Sequence, residues 1–268
     1  MRIERIVCGI GAVGAGIAAA AQAARIAPDG APIILVGAAD YGAAAMPQPL
    51  GGDIDMGPMP VGPMATLDDL EEAVRSELER AAQALGDRAD VATRIEVGSL
   101  APALEAAAGD AEGVLLALDA PLEGRMLGII DGDAGTWLLH ESTRPILLAR
   151  GPEDASGFPR VVAAGVDGSP SSAVAAEAAG EIAARRGSQL KLVMARGRGV
   201  DRHAVERLRE RLPAHELVED SRSPVHALTG AGADLVVVGS RGLSGLRALG
   251  SVSERVAHGA EASVLVAR

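Results

Sequence analysis

This chain is written twice, and the repetition governs what it can fold into. Residues 131–150 (DGDAGTWLLHESTRPILLAR) run without a gap under residues 249–268 (LGSVSERVAHGAEASVLVAR), placing Gly132 on Gly250, His140 on His258 and Arg150 on Arg268. The openings match as well: IVCGIG at 6–11 lies under VAAGVD at 162–167, and IILVGA at 33–38 under LKLVMA at 190–195. A third match pairs AEGVLLA at 111–117 with ADLVVVG at 233–239. Self-similarity of this kind predicts two copies of one structural unit. We place them at residues 1–150 and 158–268, joined by GPEDASG at 151–157, which has linker composition.

Within each copy, short Val/Ile/Leu runs alternate with helical patterns, the signature of parallel strands with crossover helices. The predicted fold is α/β, two doubly wound domains with parallel five-stranded sheets. Composition agrees. Tyr41, Trp137 and Phe158 are the full aromatic set, so the core must be built from Val, Leu, Ile and Ala. The same scarcity leaves no aromatic platform for single-stranded nucleic acid, and a net charge of −11 argues against a phosphate backbone as partner. A lone cysteine, Cys8, excludes an intramolecular disulfide framework and points to a reducing, cytoplasmic setting. The uncharged stretch 6–22 follows Arg2 and Arg5 but reads as strand, turn and helix, not a signal peptide, and no membrane span is expected.

Among the helices, residues 67–85 give the clearest pattern. Thr66 is placed to cap the helix, the acids at 68, 69, 71 and 72 complement its dipole, and Gly86 ends it. Leu67, Leu70, Val74, Leu78, Ala82 and Leu85 make its buried stripe. Its counterpart in the second copy is shorter, about 201–212. Residues 37–63, rich in Gly, Pro and Met, read as a long mobile loop peculiar to the first copy.

The chemistry concentrates after the fourth strand of the second copy, where ADLVVVG leads into GSRGLSGLRALGSVSERV at 239–256. A Gly-rich turn after a buried strand lets backbone N–H groups approach phosphates, and the following helix points its positive end at them. Arg241 and Arg247 are the only charges between Gly239 and Ser253. This second copy resembles the universal stress protein family. The resemblance rests on Gly239-Ser-Arg-Gly242, then Gly250-Ser251, together with Asp167 in GVDGSPSS, and extends more faintly to the first copy. One departure is that residues 243–249 make a seven-residue spacer where the family's ATP binders usually have nine, which implies a tighter phosphate loop.

The resemblance implies an adenine nucleotide alpha hydrolase-like fold and a stress-response or regulatory protein that binds ATP, with or without Mg²⁺, or a related adenine nucleotide. Carried over by position, Val166 and Asp167 would line the adenosine end and Ala195 would touch adenine. Gly239, Gly242, Gly250, Ser251, Val252 and Ser253 would hold ribose and phosphates. It also implies that the last strands, 146–149 and 264–267, join the copies as an intramolecular pair, with a homodimer left open. No catalytic residue or metal site is assigned, so at most weak ATP hydrolysis is expected.

The first copy lacks this equipment. In the sequence alignment Asp167 is replaced by Gly11 and Ser251 by Asp133, while Gly239 and Gly242 become Ala117 and Ala120. Asp119, Glu123, Asp131 and Asp133 face one Arg125 in its loop, read as a solvated acidic turn. Residues 1–150 carry 10 basic and 22 acidic side chains, residues 151–268 carry 15 and 14. The first copy is therefore expected to be a degenerate structural partner.

Two alternatives stand beside nucleotide-dependent regulation. One is a non-binding structural adaptor in which the glycines only make the turn. The other is a flavin- or nicotinamide-dinucleotide protein acting through residues 6–40, where Gly9-Ile-Gly11-Ala-Val-Gly14 follows a strand but no acid closes the next strand, the first being Asp40. His140 and His258 read as packing or capping residues, Cys8 as a buried small hydrophobe, and Ser169 as a helix N-cap.

Overall fold

The computed structural model describes residues 1–11, 16–39, 66–86, 90–120, 134–196, 199–240 and 252–268. The apolar runs become strands: β1 (Arg5–Ile10), β2 (Ile33–Ala39), β3 (Val91–Val97), β4 (Val114–Asp119) and β5 (Ile146–Ala149), then β6 (Val161–Gly165), β7 (Gln189–Ala195), β8 (Glu216–Asp220), β9 (Leu235–Gly239) and β10 (Ser263–Ala267). Between them lie α1 (Ile17–Ile26), α2 (Leu67–Leu85), α3 (Leu100–Ala108), α4 (Ala134–Glu141), α5 (Pro170–Arg186), α6 (Arg202–Arg209), α7 (Pro224–Thr229) and α8 (Val252–Gly259).

The two halves repeat one topology and merge into a single ten-stranded sheet of order β3-β2-β1-β4-β5-β10-β9-β6-β7-β8. All pairs are parallel except the central one. There β5 and β10 run antiparallel, with Leu147 opposite Leu265 and Leu148 opposite Val264. The last strands thus join the halves as expected. The outermost strands carry charges on exposed positions, Arg94 on β3, Glu216 and Glu219 on β8, which discourages further pairing.

Successive residues of each strand face opposite sides of the sheet and enter different cores. Ile6, Cys8, Leu115, Leu147, Val237 and Leu265 pack with α1, α2, α5 and α6, while Val7, Leu116, Leu148, Val236 and Val264 pack with α3, α4, α7 and α8. Each core is continuous across both halves. The helix α2 matches its expected span, with Thr66 and Asp69 forming a reciprocal capping box, and Val74, Leu78 and Leu85 are buried. The long loop expected over 37–63 starts later, because residues 37–39 complete β2. The remainder of that stretch lies outside the described residues.

The seam between halves obeys an approximate two-fold relation. Arg150 Nη2 donates to the Ala257 carbonyl (2.5 Å) near the end of α8, and Arg268 Nη2 donates to the Leu139 carbonyl (2.7 Å) near the end of α4. His140 Nε2 meets Glu254 Oε1 at 3.2 Å, and His258 Nε2 meets Thr136 Oγ1 at 3.4 Å, the symmetric contact. The two histidines expected to pack or cap therefore line this interface. On the opposite face Arg185 and Arg186, closing α5, donate to the carbonyls of Ile26 (2.6 Å) and Ala27 (3.0 Å) at the end of α1, where cations suit the dipole.

Beneath the seam Gln22 is buried. Its Nε2 donates to the Arg150 carbonyl (2.8 Å), and its Oε1 accepts from Ser263 Oγ (2.6 Å). Replacing it with leucine removes both bonds, although the Ser263 hydroxyl can turn to the Arg150 carbonyl at 3.1 Å. The expected cost of Gln22→Leu is about 1–2 kcal/mol, read from the denaturant midpoint at unchanged slope.

Candidate functional site

In a sheet of this order the crevice opens outside the carboxyl ends of the strands where the winding reverses, here between β6 and β9 in the second half. Sequence sets the geometry at three strand ends. After β6, Val166 N donates to the Val193 carbonyl (3.0 Å) and prolongs the ladder. Asp167 Oδ1 then accepts from Ser169 N (2.9 Å), and its backbone N donates to Ser172 Oγ (3.3 Å). Gly168 turns the chain at φ 84°, a conformation that suits glycine. A Cβ there would lie 2.5 Å from the Asp201 carbonyl oxygen. Ser169 caps α5 by accepting from Ser172 N, with Pro170 in the first turn, as the sequence suggested.

At the end of β9, Gly239 lies directly against the start of α5: a Cβ would stand 2.1 Å from the Ser171 carbonyl oxygen. Ser253 Oγ donates to the Gly239 carbonyl at 2.6 Å, tying the first turn of α8 to the strand end. At the end of β7, Arg196 Nε contacts Glu219 Oε2 (3.3 Å), and Arg202 bonds both Glu219 oxygens at 3.0 Å. Those bonds, chiefly from Arg202, hold the Glu219 carboxyl below its usual range.

These ends enclose a cavity of about 590 Å³. Of the nine residues expected to bind nucleotide, Val166, Asp167, Ala195, Gly239, Val252 and Ser253 line it. Gly242, Gly250 and Ser251 lie outside the described residues. The sequence reading missed Ser171, Ser172 and Arg196 as lining residues, and it read Ser169 only as a cap. The run Ser-Pro-Ser-Ser at the mouth of α5 was the available signal: hydroxyls crowded at a helix start after a strand.

In the first half the register corrects one alignment. Asp119 pairs with Ala149 on β5 as Gly239 pairs with Ala267 on β10, and Ile6 pairs with Leu115 as Val162 pairs with Leu235. Ala120 N and Ser240 N donate to the Ala149 and Ala267 carbonyls in the same way. The counterpart of Gly239 is therefore Asp119, not Ala117, and that of Ser240 is Ala120. Asp119 is also no solvated acid. Its Oδ2 accepts from Gly16 N (2.5 Å) and its Oδ1 from Ala19 N (2.7 Å) at the start of α1. Burial pushes its carboxyl above the usual range, against the pull of those two bonds. Below it Cys8 is buried, and burial, then the Asp119 charge, push its thiol up.

That carboxylate occupies the N–H groups of Gly16 and Ala19 at the helix start where the dinucleotide alternative for residues 6–40 would set its pyrophosphate, while Gly14 and Asp40 lie outside the described residues. Glu123, Asp131 and Asp133 lie outside the described residues. Among the described residues no helix is long and apolar enough to cross a membrane.

Fold and crevice together define a doubly wound α/β protein whose two halves repeat one topology, with a ligand-sized opening at the winding reversal of the second. The chain belongs to the universal stress protein family. A universal stress protein of Mycolicibacterium smegmatis is 32% identical over 243 residues, 78% of this chain and 82% of that protein. The family's own pattern matches residues 194–268. Among solved structures, a universal stress protein from Archaeoglobus fulgidus superposes with a TM-score of 0.68 at 20% identity, over 99% of this chain and 97% of its own, a likeness of fold. A universal stress protein in complex with cAMP matches 41% of this chain and 97% of its own at 34% identity, with a TM-score of 0.36, too low to carry structural likeness.

Proposed function

We propose that this protein binds one molecule of ATP or a related adenine nucleotide per chain, in the crevice of its second half. It would act as a nucleotide-responsive regulator in the stress response, with residues 1–150 as a degenerate partner domain and 158–268 as the binding domain. The observation that carries this reading is the gathering of six candidate residues from three strand ends and a helix start around one cavity.

The chemistry of the lining suits a nucleotide held in one direction. Asp167, a carboxylate at the end of β6, can accept hydrogen bonds from ribose hydroxyls or a base amine and repels phosphate. The phosphates would then lie toward the start of α8, whose first N–H groups have no intrahelical acceptor and sit at the positive end of the helix. Because the Ser253 hydroxyl donates to the Gly239 carbonyl, Ser253 would meet phosphate through its backbone N–H. Mg²⁺, when it accompanies ATP, would neutralise phosphate charge that Asp167 would otherwise oppose.

Calorimetric titration of the full chain with ATP should give one saturable event per chain. Val252→Asp places a carboxylate in the first turn of α8, where acids suit the dipole, so the fold should survive. Affinity should fall about tenfold or more, as one charge-assisted phosphate contact is replaced by repulsion. A folded Val252→Asp chain that binds ATP like the parent would remove α8 from the site. No saturable binding by the parent would leave the structural-adaptor reading.

A further inference from the structure

The cavity of the second half is short of the residue type that most often holds a base. Among its described lining residues none is aromatic, and two are charged, Asp167 and Arg196. Ala195, Val200 and Leu228 supply aliphatic wall. Unstacked bases are held on aromatic rings or on the plane of an arginine guanidinium, and this lining offers only the second. Arg196 follows β7 directly, and its backbone N donates to the Asp220 carbonyl (2.6 Å), which ties it to the end of β8. Its side chain is 64% exposed, with Nε 3.3 Å from Glu219 Oε2. Arg202 already bonds both Glu219 oxygens at 3.0 Å, so that carboxylate keeps a partner when Arg196 turns away. Of the two arginines, Arg196 is therefore the one that can move at little cost.

We propose that Arg196 closes over the base: its guanidinium stacks on an adenine seated against Ala195, in the role an aromatic ring would fill, and makes the site prefer purines to pyrimidines. The inference rests on the nucleotide reading of the second half. Strand order separates this role from phosphate binding. In the sheet β6 stands between β9 and β7. The start of α8, assigned the phosphates, is tied to the end of β9 through Ser253 and Gly239, whereas Arg196 extends β7 on the other side of β6. Asp167, just past β6, stands between the two, where ribose hydroxyls need an acceptor. A lysine would supply the charge of Arg196 but not its plane.

The test is calorimetric titration of the full chain with ATP and, separately, UTP, which shares the ribose and triphosphate but carries the smaller base. Parent, Arg196→Ala and Arg196→Lys are compared, and the exposed position should let both variants fold, as melting curves check. The parent should bind ATP more tightly than UTP. Arg196→Ala should weaken ATP about tenfold and UTP by no more than about threefold, because a smaller ring has less face to stack. Arg196→Lys keeps the charge and loses the plane, so it should weaken ATP nearly as much as alanine does. Parent-like ATP affinity in either variant overturns this inference and leaves the second-half site standing. An equal loss for ATP and UTP overturns it as well, since Arg196 would then serve the ribose or phosphates that both ligands share. Lysine decides the same question where UTP binds too weakly to titrate. No saturable ATP binding by the parent overturns the nucleotide reading and this inference with it.

Discussion

Leu265→Asp should abolish the cooperative fold of the whole chain at ambient temperature, or lower its melting temperature by more than ten degrees. Leu265 and Leu147 are both fully buried and stand directly opposite each other across the antiparallel β5–β10 pair. Truncating such a leucine to alanine alone costs about 2–5 kcal/mol. A carboxylate there must also be desolvated, or take up a proton to avoid it. Together these exceed about 5 kcal/mol, a large part of the 5–15 kcal/mol that holds a typical protein together. The loss would reach both halves, because each core runs across the seam without interruption. Val97→Asp is the matched control, on an edge strand and 67% exposed, and should change stability by no more than about 0.5 kcal/mol. An unchanged scattering profile and unchanged protease resistance for Leu265→Asp would mean that the halves are not joined through these strands.

The second large effect is expected at Gly239, where a single methyl group should damage binding more than folding. In Gly239→Ala the new Cβ would lie 2.1 Å from the Ser171 carbonyl oxygen and 2.5 Å from its carbonyl carbon. These are backbone atoms, which cannot turn aside as a flexible side chain can. Either the first turn of α5 lifts from the strand or the end of β9 bends, at about 1–3 kcal/mol of overpacking strain. Both movements distort the cavity wall: Ser169 and Ser171 belong to the helix start, and the Gly239 carbonyl fixes Ser253. Affinity for ATP should fall about a hundredfold, equivalent to roughly 2.7 kcal/mol, while the melting curve stays cooperative. Parent-like affinity in a folded Gly239→Ala chain would place the ligand elsewhere.

Much of this was legible in the residues because the signals were local or repeated. The cap at Thr66 and the Ser169 N-cap are set by a few neighbouring residues, and the structure places them where the sequence does. The seam was readable because PILLA and SVLVA are too apolar to be left as sheet edges. What failed was the register of the fourth strand. Matching AEGVLLA to ADLVVVG by apolar content slid the first half by two residues, and a slip of two keeps every side chain on its original face. Composition cannot detect such a slip, because inward and outward positions still alternate correctly. The hydrogen-bond ladders to β1 and β5 reveal it, with Ile6 opposite Leu115 and Asp119 opposite Ala149. The error hid, inside what looked like a charged loop, an acid whose oxygens accept from the start of α1. The serines around the second crevice were missed for another reason: a capping role explained one of them, and nothing local revealed that Gly239 brings Ser171 so close.

The antiparallel seam has a consequence for how such a molecule can change over generations. Because β5 and β10 run in opposite directions while every other pair is parallel, the carboxyl ends of the two sets of strands point to opposite edges of the sheet. The ligand-facing ends of the two halves therefore look toward opposite edges of the sheet. In a dimer of identical chains any substitution is made in both openings at once, so neither can be surrendered without losing the other. Fusing the copies removes that coupling. Within one chain the matching positions already differ, Asp119 at the end of β4 against Gly239 at the end of β9, so either half can change without the other.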